Sequence, residues 1–298
     1  MNPQSQYRLG LVLVTASAIA WSAAGYFTRL VPLDNWTLLF WRGLFAAAGL
    51  IAYMMATQGR ATWLQFAALG KAGLLFALLS AGAMICYITS LTMTTVAHVA
   101  IIYGTVPFLA AGLGWLVLHE RPSGTAITAS LIALVGVALM VGGNVAEGSL
   151  RGDALAFGMT LGMAAIIVIN RHNRAIPMMH ASCVSALISA AIAWPLSAAS
   201  VPSPAQLCDL ALFGLINLAL GMILFTLGSR LIPAVETALI GSLDGPLAPV
   251  WVWLAFGERP GHDTILGGIL VFGAVVANVV LGTRSSRKAA MATQSGMD

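Results

Sequence analysis

Two carboxylates, Glu236 and Asp244, stand in the apolar body of 234–260, AVETALIGSLDGPLAPVWVWLAFGERP, a stretch long enough to cross a bilayer that ends in Gly257-Glu258-Arg259-Pro260. A charged side chain at membrane depth costs roughly 2.5–3.5 kcal/mol on insertion scales, so it faces a cavity or a partner. Pro246 and Pro249 leave the carbonyls of Ser242 and Gly245 without helical donors, which weakens and bends the helix. A broken acidic helix of this kind is a natural wall for a binding site. Its chemistry is recognition of positive charge: Asp244, Glu236 and freed carbonyls around Ser242 can receive an ammonium group. Positions 96–122 repeat the plan with His98, Pro107 and then His119-Glu120-Arg121-Pro122. His98 can hold a carboxylate or carry a proton, because imidazole titrates near neutral pH, and it can equally cap its helix entrance.

The other candidates are polar or aromatic residues inside apolar runs. Trp21, Tyr87 and Tyr103 can form an apolar wall for a flat side chain, or simply pack. Asn217, near the middle of its run, is the best-placed amide for a pocket, with Asn170 and Asn278 as further intramembrane amides. Arg42 can snorkel to the interface or pair with Asp34 or Asp244, a structural role. The GxxxG matches at Gly158/Gly162 and Gly241/Gly245 read as close helix contacts. Cys86, Cys183 and Cys208 lack metal-ligand spacing and read as packing residues. There is no HExxH pair, no GxSxG elbow and no nucleophile set whose spacing argues for itself, so neither an enzyme nor a metal or other cofactor is expected.

The elements that must position these residues follow from composition. Of 298 residues 59% are hydrophobic and 8% charged, against roughly 25% charged in soluble domains, so water is not the main solvent. Apolar runs at 9–28, 36–56, 70–92, 96–118, 124–142, 152–170, 179–199, 207–228, 234–256 and 262–282 predict ten transmembrane helices, an all-α integral membrane protein. The run behind Arg8 has the shape of a signal peptide, but in so apolar a chain it reads as an uncleaved first span. The net charge of +4 is scattered through loops without interleaved aromatics, so nucleic acid is not an expected partner. Most of the fourteen lysines and arginines fall on one side of the ten spans, which predicts cytoplasmic termini. The polar segment 284–298 reads as a disordered cytoplasmic tail.

An offset of 138 lays Glu120-Arg121-Pro122 on Glu258-Arg259-Pro260, His98 on Glu236 and Trp115 on Trp253. This predicts two five-helix repeats, 1–146 and 147–283. An odd number of spans inverts the second against the first, as in secondary transporters that bind substrate between the halves near the midplane.

Ten helices in two inverted halves, with Pro107 through Glu120-Arg121-Pro122 and Pro246 and Pro249 through Glu258-Arg259-Pro260, resemble the drug/metabolite transporter superfamily, of the EamA type. Arg42 early in the second span fits as well. Within that superfamily the chain is most similar to the bacterial aromatic amino acid exporters. The resemblance implies export of aromatic and other neutral amino acids and similar small metabolites by alternating access, across a bacterial inner membrane, without a required oligomer. It leaves two alternatives, a multidrug or lipophilic-cation exporter of the same fold and a facilitative pore. On this reading Trp21, Tyr87, His98, Tyr103, Asn217, Glu236, Ser242 and Asp244 contact substrate, while Pro107, Pro246 and Pro249 serve as hinges.

Overall fold

Local chemistry marks the helix starts. Asp34 accepts from the amides of Trp36 and Thr37, both at 3.0 Å, and so begins α3 (Asn35–Gln58). Thr95 does the same for α6 (Val96–Tyr103) through the His98 amide at 3.2 Å. Ser203 and Gln206 cap each other's backbone at the start of α11 (Pro204–Leu212). Each cap satisfies donors that a helix start otherwise leaves open.

The computed structural model describes residues 3–119, 124–143, 149–173, 176–197, 202–232, 237, 240–241, 243–263, 265–274 and 276–277. The remaining helices with printed bounds are α1 (Pro3–Ser22), α2 (Ala24–Leu30), α4 (Ala61–Ala67), α5 (Gly70–Met93), α7 (Val106–Leu118), α8 (Gly124–Gly143), α9 (Leu150–His172), α10 (Met178–Ala193), α12 (Gly221–Gly228) and α13 (Asp244–Phe256). Between α11 and α12 the chain runs as a π-helix, Phe213–Leu220.

Among the described residues seven helical segments are long and apolar enough to cross a membrane, at the places expected for spans one to four and six to eight. Two shorter apolar helices, Ile127–Leu139 and Ile265–Ala274, lie where spans five and ten are expected. Of span nine, α13 is described. The expected boundary at 146/147 and the tail 284–298 lie outside the described residues. Three details depart from the sequence reading. Span one is interrupted at Ala23, span seven tightens into a 3-10 turn at Trp194–Leu196, and the short helix α4 precedes span three.

The packing pairs are specific. α5 lies along α9, and α1 along α12. α7 packs on α9, while α13 packs on α1 and α2. α5 meets α10, and α3 meets the π-helix; α3 also meets α10, and α6 meets α13. Gly162 lets α9 approach α5 so closely that a Cβ there would stand 2.9 Å from that of Ala83. The core between these helices holds fully buried Leu38, Leu39, Ile88, Leu91, Leu210 and Phe213. Large apolar side chains such as Leu64, Leu116 and Leu254 lie on the outside, a surface suited to lipid.

Candidate functional site

Arg42 sits in the middle of the bundle, 2% exposed. Gly43 and Gly214 bring backbone against backbone around it, since a Cβ on Gly43 would meet the Ala186 carbonyl and one on Gly214 the Arg42 carbonyl. Its Nη2 donates to Asn217 Oδ1 at 2.8 Å, its Nη1 approaches Met84 Sδ at 3.0 Å, and its guanidinium carbon lies 4.7 Å from the centre of the Phe213 ring. Asn217 in turn donates from Nδ2 to the carbonyls of Ala20 and Trp21, each at 2.9 Å. Asn217 therefore clamps α3 to the end of α1 and has little left for a ligand; it is 3% exposed. Arg42 neither snorkels nor pairs with Asp34, whose carboxylate is spent on capping α3 and on the Thr37 hydroxyl. A cation–π contact, a hydrogen bond to a neutral amide and a contact with the Met84 sulfur stand where an ion pair is expected.

Beside this clamp lies a second cluster. Tyr87 on α5 is within electrostatic reach of both Arg42 and Asp244, and Tyr103 at the end of α6 is within reach of Asp244 and Tyr87. All three non-arginine members keep part of their surface open. Asp244 is the first residue of α13, where the helix dipole favours a negative charge. Among the described residues it has no ion-pair partner. A carboxylate, two phenols and a helix start together can receive a positively charged or zwitterionic small molecule.

The helix breaks next to this cluster have a common form. α6 and α7 are separated by a turn at Gly104-Thr105, and Pro107 is the second residue of α7. Pro246 is likewise the third residue of α13. Each proline thus starts a new half-helix, where its missing N–H costs little, and does not bend a continuous one. Pro249 lies inside α13.

At one end of the bundle the helices are tied together. Arg29, on α2, forms an ion pair with Glu258 (Nε to Oε2, 3.1 Å) and donates to the carbonyls of Leu91 and Thr94. Glu258 also accepts from the Val96 amide at 3.4 Å. His98 is 1% exposed, and its Nδ1 stands 3.2 and 3.3 Å from the two oxygens of Asp153 on α9. The Thr94 hydroxyl donates to the same carboxylate at 2.8 Å. A cavity of about 190 Å³ opens here, lined by Thr95, Val96, Pro249, Glu258 and Pro260 among others. It lies at the tied end, apart from the Asp244 cluster, and is smaller than a typical ligand pocket.

The structure thus brings Tyr87, Tyr103 and Asp244 together and engages Asn217 and His98 with protein partners. Trp21 packs its ring on Phe225 at 5.1 Å, and Glu236 and Ser242 lie outside the described residues. The sequence reading names neither Asp153 nor Arg29 as a site residue. Asp153 is the one acidic residue inside span six, a signal open to anyone counting intramembrane charges. Among the described residues no group of three or more histidines, cysteines or acids could hold a metal ion.

Comparison with known proteins agrees with this architecture. Among solved structures 27 chains match. One crystal structure, 17% identical, covers 92% of this chain and 98% of its own, with a TM-score of 0.62, which shows a shared fold. No curated protein matches the chain. The model of the EamA-like transporter family matches residues 8–142 and again residues 150–280. The chain belongs to the EamA-like transporter family.

Proposed function

We propose that this membrane transporter of small molecules exports neutral amino acids, aromatic ones and methionine among them, by alternating exposure of a site at Asp244, Tyr87 and Tyr103. The observation that carries the reading is the Asp244 carboxylate, without an ion-pair partner among the described residues, at a half-helix start beside two half-buried phenols in a lipid-facing bundle. An ammonium group would meet Asp244, and the amino acid side chain would lie against the rings. Wide apolar walls of this kind discriminate poorly between similar shapes, which favours a broad substrate range.

Several features support two inverted five-helix halves moving against each other. The 138 offset carries the start of α7 onto that of α13 and the end of α7 onto that of α13. It also exchanges packing partners: α5 with α9 becomes the span-eight helices with span one, and α7 with α9 becomes α13 with span one. The family model matching twice fits the same division. With cytoplasmic termini, the end tied by Arg29 and Glu258 faces outward, so the structure is closed on that side. Proteoliposomes preloaded with labelled phenylalanine or methionine should release label with saturation and without single-channel conductance. Conductance would favour a facilitative pore.

The Asp244 carboxylate also suits a lipophilic cation, the drug-exporter reading. Release of tetraphenylphosphonium with no movement of any amino acid would put that reading in place of the first.

A further inference from the structure

We infer that Arg42 receives the substrate's carboxylate, so that the site takes zwitterions in preference to amines. The inference rests on the amino acid reading of the Asp244 cluster and adds a second pole to it. Arg42 is 2% exposed, yet the groups that hold its guanidinium are neutral. Nη2 donates to the Asn217 amide oxygen at 2.8 Å, Nη1 meets the Met84 sulfur at 3.0 Å, and the Phe213 ring centre lies 4.7 Å from the guanidinium carbon. Nε is buried too, and has no hydrogen-bond partner among the described residues. A thioether is a weak acceptor, so two of the guanidinium nitrogens have no oxygen to bond. An arginine kept at membrane depth on such terms points to a ligand that completes it, and a carboxylate is the planar acceptor that matches its fork.

The guanidinium is held ready and its cover is movable. Asn217 is fixed by its bonds to the carbonyls of Ala20 and Trp21, so Nη2 is positioned before any ligand arrives. Met84 is half-buried and stands three residues before Tyr87 on α5, the spacing that puts two side chains on one helix face. Its unbranched thioether is the adaptable part of this shell, and turning it aside frees Nη1 on the face of α5 that carries Tyr87. Tyr87 is within electrostatic reach of both Arg42 and Asp244, and those two do not form an ion pair with each other. Opposite charges near one ring, neither used up by the other, match the two poles of an α-amino acid. Its carboxylate goes to Arg42, its ammonium to Asp244, and its side chain along the phenols. An amine or a lipophilic cation can use Asp244 but brings nothing to Arg42.

The test compares three ligands of one skeleton: phenylalanine, phenethylamine, which lacks the carboxylate, and 3-phenylpropionate, which lacks the ammonium. Dissociation constants come from the ligand-induced rise in unfolding temperature of the full-length protein in detergent, which needs no transport and also shows whether a variant folds. The parent should bind phenylalanine at least about tenfold more tightly than phenethylamine, the effect of one hydrogen-bonded charge pair. R42M should bring that ratio to within about twofold by weakening phenylalanine alone. M84E keeps Arg42 and gives it a carboxylate of the protein's own. It should therefore fold, lose the preference for phenylalanine, and bind phenethylamine within about threefold of the parent. D244N should instead weaken phenylalanine and phenethylamine together.

A parent that binds phenylalanine and phenethylamine equally overturns the assignment of Arg42 and leaves the amino acid reading standing. A folded R42M or M84E that keeps the parent's ratio does the same. A parent that binds 3-phenylpropionate but not phenylalanine, with that binding lost in R42M, keeps the carboxylate site and removes the amino acid reading.

Discussion

The half-helices α7 and α13 are built alike and do different work. Both run thirteen residues, begin beside a proline near mid-bundle, and end in a left-handed residue, His119 at φ 56° and Gly257 at φ 72°. Both present large apolar side chains outward, Leu116 and Leu254 being 65% and 69% exposed. Yet their first residues differ. Val106 opens α7 and is buried, whereas Asp244 opens α13 and keeps part of its surface open. The difference teaches that a shared scaffold positions two helix starts, and that one of them presents a carboxylate where the other presents a buried valine.

The largest effect expected from erasing this difference comes from imposing a second carboxylate. Val106 is 8% exposed, so V106D buries a charge without a partner and should destabilise the folded protein by about 3 kcal/mol, the cost of an acid at the helix centre. Thermal unfolding in detergent measures this. A variant as stable as the parent would mean that the two starts have similar surroundings, and the comparison would break.

The reverse change should spare the fold. D244N keeps the shape of the side chain and removes its charge, so thermal stability should hold or rise. Transport of phenylalanine should drop about 100-fold, equivalent to about 2.7 kcal/mol on the barrier. Parent-level transport by D244N would remove Asp244 from the substrate site.

How much of this contrast could be read from the chain alone depends on the distance over which each feature is decided. Glu258-Arg259-Pro260 recurs on Glu120-Arg121-Pro122 at an offset of 138, and Pro246 recurs on Pro107 within one residue of that offset, so the broken helices are legible as local patterns. Asp244 was legible too, because a carboxylate in an apolar run is rare and costly. The partners of His98 and Arg42 were not. His98 meets Asp153 across the two halves of the chain, and Arg42 meets Asn217 from span eight. Neither pairing leaves a mark on local spacing, and reading the residues one at a time assigned His98 and Asn217 to substrate. The interruption of span one is not written in local sequence either. Ala23 is neither proline nor glycine, and the hydrogen bond from Trp251 Nε1 to Ser22 Oγ at 2.8 Å is a tertiary contact.

The smallest effect concerns the helix ends, where the scaffold itself is slightly unequal. A left-handed backbone costs an L-residue roughly 1–2 kcal/mol, and glycine avoids this. At Gly257 a Cβ would meet no atom within 4 Å, so G257A tests the backbone alone and should cost about 1 kcal/mol of stability. At His119 the same conformation is already occupied by a side chain, and H119G should relieve the strain. The relief is partly offset, because glycine also frees the unfolded chain by about 0.4–1 kcal/mol, and histidine is among the residues that enter this region more readily. A net gain of about 0.5 kcal/mol is therefore expected, opposite in sign to G257A. Unfolding midpoints of the two single variants measure both values. Changes of the same sign would mean that the two ends do not share one backbone geometry, and the likeness of α7 and α13 would then stop short of their caps.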